Sequence, residues 1–184
     1  GFNHVDLKLA WQHKMRVARV PAYSPYAVAE HTVGMMLALN RNLIRAHQRI
    51  MELNFSLDGL VGFDMNGKTV GIVGTGQIGA VVAKILHGFG CRLLACDPAP
   101  DPALVAQYGV TYTSLDKICQ TADIITLHVP LREETKHVID KNRLSLMKPG
   151  VMLINTSRGG LIDTKDLIAA LKKRRVGSVG LDVY

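Results

Sequence analysis

From residue 69 onward the sequence alternates short, almost unbroken apolar runs with stretches of helical spacing, and few folds accept that alternation. The apolar runs predict strands over 69–73, 92–96, 123–128, 151–155 and 178–182, with a shorter one over 110–112. Helical spacing covers 77–89, 115–120, 141–147 and 164–174. A strand that is apolar on both faces must be covered on both, which means a parallel sheet with helices above and below. The predicted class is therefore α/β, a doubly wound parallel sheet. In such sheets ligands sit beyond the carboxyl ends of the strands, so the informative residues are those just after each run.

The preceding segment reads differently. An apolar run over 15–20 looks strand-like, Pro21-Ala22-Tyr23-Ser24-Pro25 marks a loop and a helix start, and no proline or turn signal intervenes from Tyr26 to about Leu53. Val28, Thr32, Met36, Leu39, Leu43, Ala46 and Ile50 follow helical spacing, with Val33, Leu37 and Ile44 in a second stripe beside them. The pattern predicts one long helix, apolar on two sides. At ~1.5 Å per residue it would run on the order of 40 Å, more than one small domain covers. Part of it is expected to meet a second subunit, as in a homodimer.

Composition narrows the partners. With 48% apolar and 20% charged side chains in 184 residues, the chain has globular composition and is long enough to bury a core without staples. Arg, Lys, His, Asp or Gly breaks every apolar stretch well short of the roughly 20 residues of a bilayer span, so no membrane partner is expected. Lys and Arg number 22 against 15 Asp and Glu, a net charge of +7, but the charge is scattered. The one dense run, Lys172-Lys173-Arg174-Arg175, ends a helical stretch, where cations suit the helix dipole. No nucleic-acid partner is expected, and no metal site. Cys91, Cys96 and Cys119 lie among apolar residues, which suits buried thiols in a reducing compartment and predicts a cytoplasmic protein.

Gly74-Thr75-Gly76-Gln77-Ile78-Gly79 is a G-x-G-x-x-G directly after the first strand and at the start of a helix whose Ile78, Val82, Ile85, Leu86 and Phe89 share one face. The first glycine permits a tight turn, the second lets backbone approach a pyrophosphate, and the third lets helix pack on strand. The phosphates would lie on free N–H groups at the helix N-terminus. The next strand ends in Asp97, where a carboxylate accepts both adenosine ribose hydroxyls and repels a 2′-phosphate. Pro98, Ala99 and Pro100 follow it without a cation, which favours NAD over NADP. The fourth long run ends in His128-Val129-Pro130-Leu131, whose proline turns the chain across the crevice; His128 reads as a wall of the pocket rather than a proton donor. The fifth delivers Asn155-Thr156-Ser157-Arg158-Gly159-Gly160, a thin loop whose guanidinium fork matches a substrate carboxylate. The last ends in Leu181-Asp182, another acid at the same edge.

These motifs, with Gly1-Phe2-Asn3, Ala27-Val28-Ala29-Glu30-His31 and Gly180-Leu181-Asp182-Val183-Tyr184, resemble the D-isomer-specific 2-hydroxyacid dehydrogenases over all 184 residues, and within them the fermentative D-lactate branch. The resemblance implies a Rossmann-type NAD-binding domain over 25–184, with a remnant of the substrate domain and crossover over 1–24. It implies hydride transfer between NADH and a small 2-oxo acid, pyruvate to D-lactate. Gln77 and Ile78 would lie on the pyrophosphate, and Asp97 on the adenosine ribose. Val129, Pro130 and Thr135 would line the cofactor, with Thr156, Ser157 and Asp182 near the nicotinamide end. Arg158 would bind the substrate carboxylate, and Gly1 would belong to a substrate-carboxylate loop. None of the seven histidines matches the family's catalytic one. The chain is therefore expected to be a fragment, inactive alone, with the family's Glu and His beyond Tyr184 and most of the substrate domain missing. The same domain resembles that of NADH-sensing transcriptional corepressors, a dimeric scaffold and the rival reading. Dehydrogenases for glyoxylate, hydroxypyruvate or phosphoglycerate share its cofactor motifs.

Overall fold

The computed structural model describes residues 5–20 and 24–184, so Gly1-Phe2-Asn3 and Pro21-Ala22-Tyr23 lie outside the described residues. Six strands, β1 (Thr69–Val73), β2 (Arg92–Cys96), β3 (Thr111–Tyr112), β4 (Ile124–Leu127), β5 (Val151–Asn155) and β6 (Val176–Leu181), form one sheet in the order β3-β2-β1-β4-β5-β6. Every pairing is parallel. The order reverses between β1 and β4, which opens a crevice at their carboxyl ends. Residues of β4 and β5 are buried throughout, as unbroken apolar runs require.

One face of the sheet carries α2 (Pro25–Asn40), α4 (Gln77–Gly88) and α5 (Pro102–Tyr108), closing a core around Met36, Ile72, Leu86 and Ile154. The other carries α6 (Leu115–Thr121), α7 (Lys141–Leu146) and α8 (Thr164–Lys172), around Ile118, Leu144, Leu153 and Leu167. Each of these last three helices starts at a side-chain cap, from Ser114, Asp140 and Asp163 respectively, so their phase against the sheet is fixed locally as well as by packing.

The long helix expected from Tyr26 is two helices. Helix α2 ends at Asn40, Asn42 adopts φ +51°, and α3 (Leu43–Met51) starts anew. The break has a long-range cause. The Asn40 amide donates to the Phe63 carbonyl at 2.7 Å and accepts from the Phe63 N–H at 2.8 Å, imitating a strand pair. Only glycine fits at the neighbouring residue 62, because a Cβ there would run into the Asn40 carbonyl. The apolar surplus also lies elsewhere than expected: Met36 is fully buried against its own sheet, whereas Ile44, Met51, Phe55 and Val61 are exposed on α3 and the loop after it. Arg45 and Arg49 hold that loop against α3 through the carbonyls of Gly59 and Ser56.

Two further segments depart from the sequence reading. The apolar run over 15–20 pairs with no strand and is exposed. Residues 102–108, to which the sequence reading assigns no element, fold as α5, capped by Asp101 and opened by Pro102. The short helix α1 (Leu7–Gln12), capped by Asp6, was also missed. Among the described residues no helix is long and apolar enough to cross a membrane, and no group of three His, Cys, Asp or Glu could hold a metal ion.

Candidate functional site

The glycine loop fills the turn from β1 into α4. Gly74 has φ +92°, and a Cβ there would stand 2.7 Å from Val129 Cγ1 and 2.8 Å from the His128 carbonyl oxygen. The loop therefore lies directly on the end of β4. A Cβ on Gly79 would collide with the Gly74 carbonyl, so this glycine lets α4 seat against the turn. Gly76 differs: a Cβ there would meet nothing within 4 Å, and no side chain caps the helix that it opens. The first-turn N–H groups of Gln77 and Ile78 thus face an open cradle that a side chain would have filled. A dinucleotide pyrophosphate fits that donor set.

Asp97 ends β2 beside this loop. Its Oδ2 accepts from the Thr75 N–H at 2.7 Å and its Oδ1 from the Ala99 N–H at 2.9 Å. Each oxygen keeps acceptor capacity for a ribose hydroxyl, since a carboxylate offers about four acceptor positions. Tyr112, which sequence reasoning missed, reaches under the loop from β3. Its phenol donates to Thr75 Oγ1 at 3.0 Å and accepts from the Asp101 N–H at 3.0 Å.

On the other side of the crevice, His128 Nε2 bonds Thr126 Oγ1 at 2.9 Å, and its buried Nδ1 has no hydrogen-bond partner. Burial pushes the ring down to a pKa of about 4. A ring that is neutral at ordinary pH is a poor proton donor. Val129 follows His128 and lies against the turn at Gly74, and Pro130 comes next. Thr135 accepts from the Arg132 N–H at 2.8 Å and donates to the Pro130 carbonyl at 2.6 Å, so its hydroxyl holds the shape of the 130–135 loop.

After β5 the chain is knit to its surroundings. Asn155 donates to the Arg158 carbonyl and accepts from the Ser157 N–H, while Ser157 Oγ donates to the Leu127 carbonyl at 2.8 Å. Thr156 Oγ1 meets Thr32 Oγ1 of α2 at 2.8 Å, and Thr32 in turn donates to the Val28 carbonyl. The hydroxyls of Thr156 and Ser157 are thus engaged in fixing the loop that carries Arg158. Arg158 Nη1 donates to the Ser157 carbonyl at 2.6 Å. Asp182, just past β6, pairs with His31 of α2 at 3.2 Å. Neither Thr32 nor His31 could be assigned from spacing, because each meets its partner only once α2 lies across the sheet. Gly74 to Gly79, Asp97, Val129, Pro130, Thr135, Thr156, Ser157, Arg158 and Asp182 all follow carboxyl ends of strands on this one edge. A cleft lined by Phe63, Lys68, Asp123 and Lys148 opens at the opposite, amino edge.

A glycine loop and a fixed strand-end carboxylate at the switch point of a doubly wound sheet define a dinucleotide-binding domain. The chain belongs to the family described as D-isomer specific 2-hydroxyacid dehydrogenase, NAD binding domain, which matches residues 33–184. It is 52% identical to D-lactate dehydrogenase of Escherichia coli strain K12, covering all of this chain and 56% of that one. It is 53% identical to a 2-hydroxyacid dehydrogenase homolog of Haemophilus influenzae, covering all of this chain and 55% of that one. The chain thus spans about half the length of the curated relatives it matches. The apo-structure of the Escherichia coli D-lactate dehydrogenase superposes with a TM-score of 0.94 over the whole chain and 58% of the other. A D-lactate dehydrogenase from Aquifex aeolicus, solved with NAD and lactic acid, superposes with a TM-score of 0.91 at 43% identity, over the whole chain and 55% of the other.

Proposed function

We propose that this chain is the cofactor-binding portion of an NAD-dependent D-2-hydroxyacid dehydrogenase of the D-lactate type, which as a whole protein reduces pyruvate to D-lactate. Residues 25–184 form the NAD-binding domain, and residues 1–24 belong to the substrate domain and crossover. The observation that carries this reading is the placement of Arg158: it stands on a loop fixed from both sides, at the edge where the glycine loop and Asp97 make a dinucleotide cradle.

Bound NADH supplies the hydride that reduces the carbonyl carbon. Gly74, Gly76, Gln77, Ile78 and Gly79 seat the pyrophosphate on the amides of α4. Asp97 takes the adenosine ribose hydroxyls and repels a 2′-phosphate. Val129, Pro130 and the 130–135 loop held by Thr135 wall the crevice, while Thr156, Ser157 and Asp182 shape its nicotinamide end. Arg158 holds the substrate carboxylate with its planar fork, and its positive charge favours the negative charge that grows on the carbonyl oxygen. Because burial keeps His128 neutral, that ring is not assigned the proton; none of the seven histidines matches the family's catalytic one, and this chain alone is expected to bind NADH without turnover.

The whole protein is proposed to be a cytoplasmic homodimer. The exposed apolar side chains of α3 and the loop after it form the face that a second subunit would cover. Burial pushes the Cys119 thiol up to about 11, which suits unreactive thiols in a reducing compartment. The test is NADH oxidation by the full-length protein with pyruvate, followed by chiral analysis of the lactate. D-lactate alone is expected. NADH binding without turnover of pyruvate, glyoxylate or hydroxypyruvate would reject the enzyme reading in favour of an NADH-sensing scaffold.

A further inference from the structure

We propose that Tyr112 is a positioning residue for the adenosine half of the dinucleotide, acting through the Thr75 hydroxyl; the inference rests on the NAD-site reading above. The two bonds run in one sense along the chain. The Asp101 N–H, which can only donate, gives its proton to the Tyr112 oxygen, and the phenol in turn donates to Thr75 Oγ1. Thr75 spends a lone pair on that bond, which leaves its own hydroxyl proton to donate elsewhere. Thr75 is only 8% exposed, so that proton requires an acceptor. Its backbone N–H simultaneously holds Asp97 Oδ2 at 2.7 Å. One residue of the glycine loop therefore aims the ribose-binding carboxylate with its N–H and carries a hydroxyl with a proton still to donate.

The geometry assigns the end of this chain, Asp101 N–H to Tyr112 O–H to Thr75 O–H, to an oxygen of the adenosine ribose or its phosphate. Asp97 can only accept hydrogen bonds, so Thr75 supplies the donor that the carboxylate lacks. Tyr112 matters because an oxygen already receiving a proton has its rotation fixed. Without the phenol, the Thr75 hydroxyl is released to turn toward other acceptors. Asp101 also caps α5 through its Oδ1, so the same chain anchors the start of that helix to the glycine loop.

The test uses the full-length protein and its variants Tyr112→Phe, Thr75→Val, the double variant and Thr75→Ser. NADH binding is followed by fluorescence, with ADP-ribose and reduced nicotinamide mononucleotide as competitors that separate the two halves of the cofactor. Tyr112→Phe keeps the ring and removes one neutral hydrogen bond, so NADH and ADP-ribose should bind about two- to tenfold more weakly. Reduced nicotinamide mononucleotide should bind unchanged. The double variant should bind ADP-ribose no worse than Thr75→Val, because both changes cut the same chain. Thr75→Ser, which keeps the oxygen, should recover the affinity that Thr75→Val loses. Unchanged ADP-ribose affinity in Tyr112→Phe, losses that multiply in the double variant, or an equal loss for the mononucleotide would overturn the assignment to Tyr112. An unmodified protein that binds no NADH at all would instead overturn the site reading beneath it.

Discussion

Replacing Asp97 separates what the fold needs from what the cofactor needs. In Asp97→Ala the Thr75 N–H, in a residue only 8% exposed, loses the acceptor that it holds at 2.7 Å. A buried donor left unpaired costs about 1–3 kcal/mol. For a chain of this length ~1 kcal/mol moves Tm by about 2–4 °C, so the cofactor-free variant should melt roughly 2–12 °C lower. Asp97→Asn keeps an amide oxygen where Thr75 can use it, and should recover most of that loss. It cannot recover NADH binding, because it loses the charge and turns one acceptor into a donor. Both variants should weaken NADH and narrow its advantage over NADPH, since an unpaired carboxylate no longer faces the 2′-phosphate. The assays are thermal unfolding without cofactor and parallel fluorescence titrations with NADH and NADPH. If both variants melt with the unmodified chain, the Thr75 bond contributes nothing to the fold. Equal affinity of the unmodified chain for both cofactors would show that Asp97 does not set the choice.

Other outcomes follow from the same geometry. Charged residues at Ile44 and Phe55, both exposed, should shift the full-length protein from dimer to monomer in sedimentation with the fold intact, whereas Met36→Glu should unfold it, because Met36 is fully buried; a monomer before any change would refute the dimer. Stability should fall between about pH 6.5 and pH 4 partly through His128, because the unfolded ring takes a proton near its ordinary value of 6.5 and the folded ring only near 4. In urea midpoints against pH, His128→Gln should flatten that slope, and an unaltered slope would show that the ring titrates normally when folded. Asp123 is buried enough to raise its pKa, but the Thr69 N–H and Lys148 more than reverse this, leaving it below the usual carboxylate range. Asp123→Asn should therefore cost stability at neutral pH, and the difference should begin to shrink near pH ~4, the ordinary carboxylate value, and disappear only below the lower value that the folded carboxyl holds; a constant difference would mean that the charge is irrelevant.

Strands β1, β2 and β5 could be read from the sequence to the residue, and β3 and β4 to within one residue at either end, because each is a short apolar run set between turn or helix signals. The glycine loop was equally legible, since each glycine answers a local demand for space. What escaped were features made by distant partners. Nothing in Asn40-Arg41-Asn42 stops a helix until Phe63 returns to occupy the Asn40 amide. Tyr112 is an unremarkable aromatic until β3 brings its phenol under Thr75. Helix α5 was a different failure: Asp101 before Pro102 is a local cap and first-turn signal, hidden by the prolines at 98 and 100. The run over 15–20 had strand chemistry but no neighbour, and an apolar run without a ladder partner is not a strand.

The role of Arg158 is the claim on which the functional reading stands, and one substitution addresses it. Arg158→Lys in the full-length protein keeps the charge and loses the fork, and a hydrogen bond to a charged group is worth about 1.5–3 kcal/mol. Steady-state pyruvate kinetics should then show kcat/KM lowered by about 10- to 150-fold, at 1.36 kcal/mol per decade. An NADH titration beside it should barely move, because Gly74 to Gly79 and Asp97 are untouched. Unchanged pyruvate kinetics, or a defect confined to NADH binding, would contradict the account.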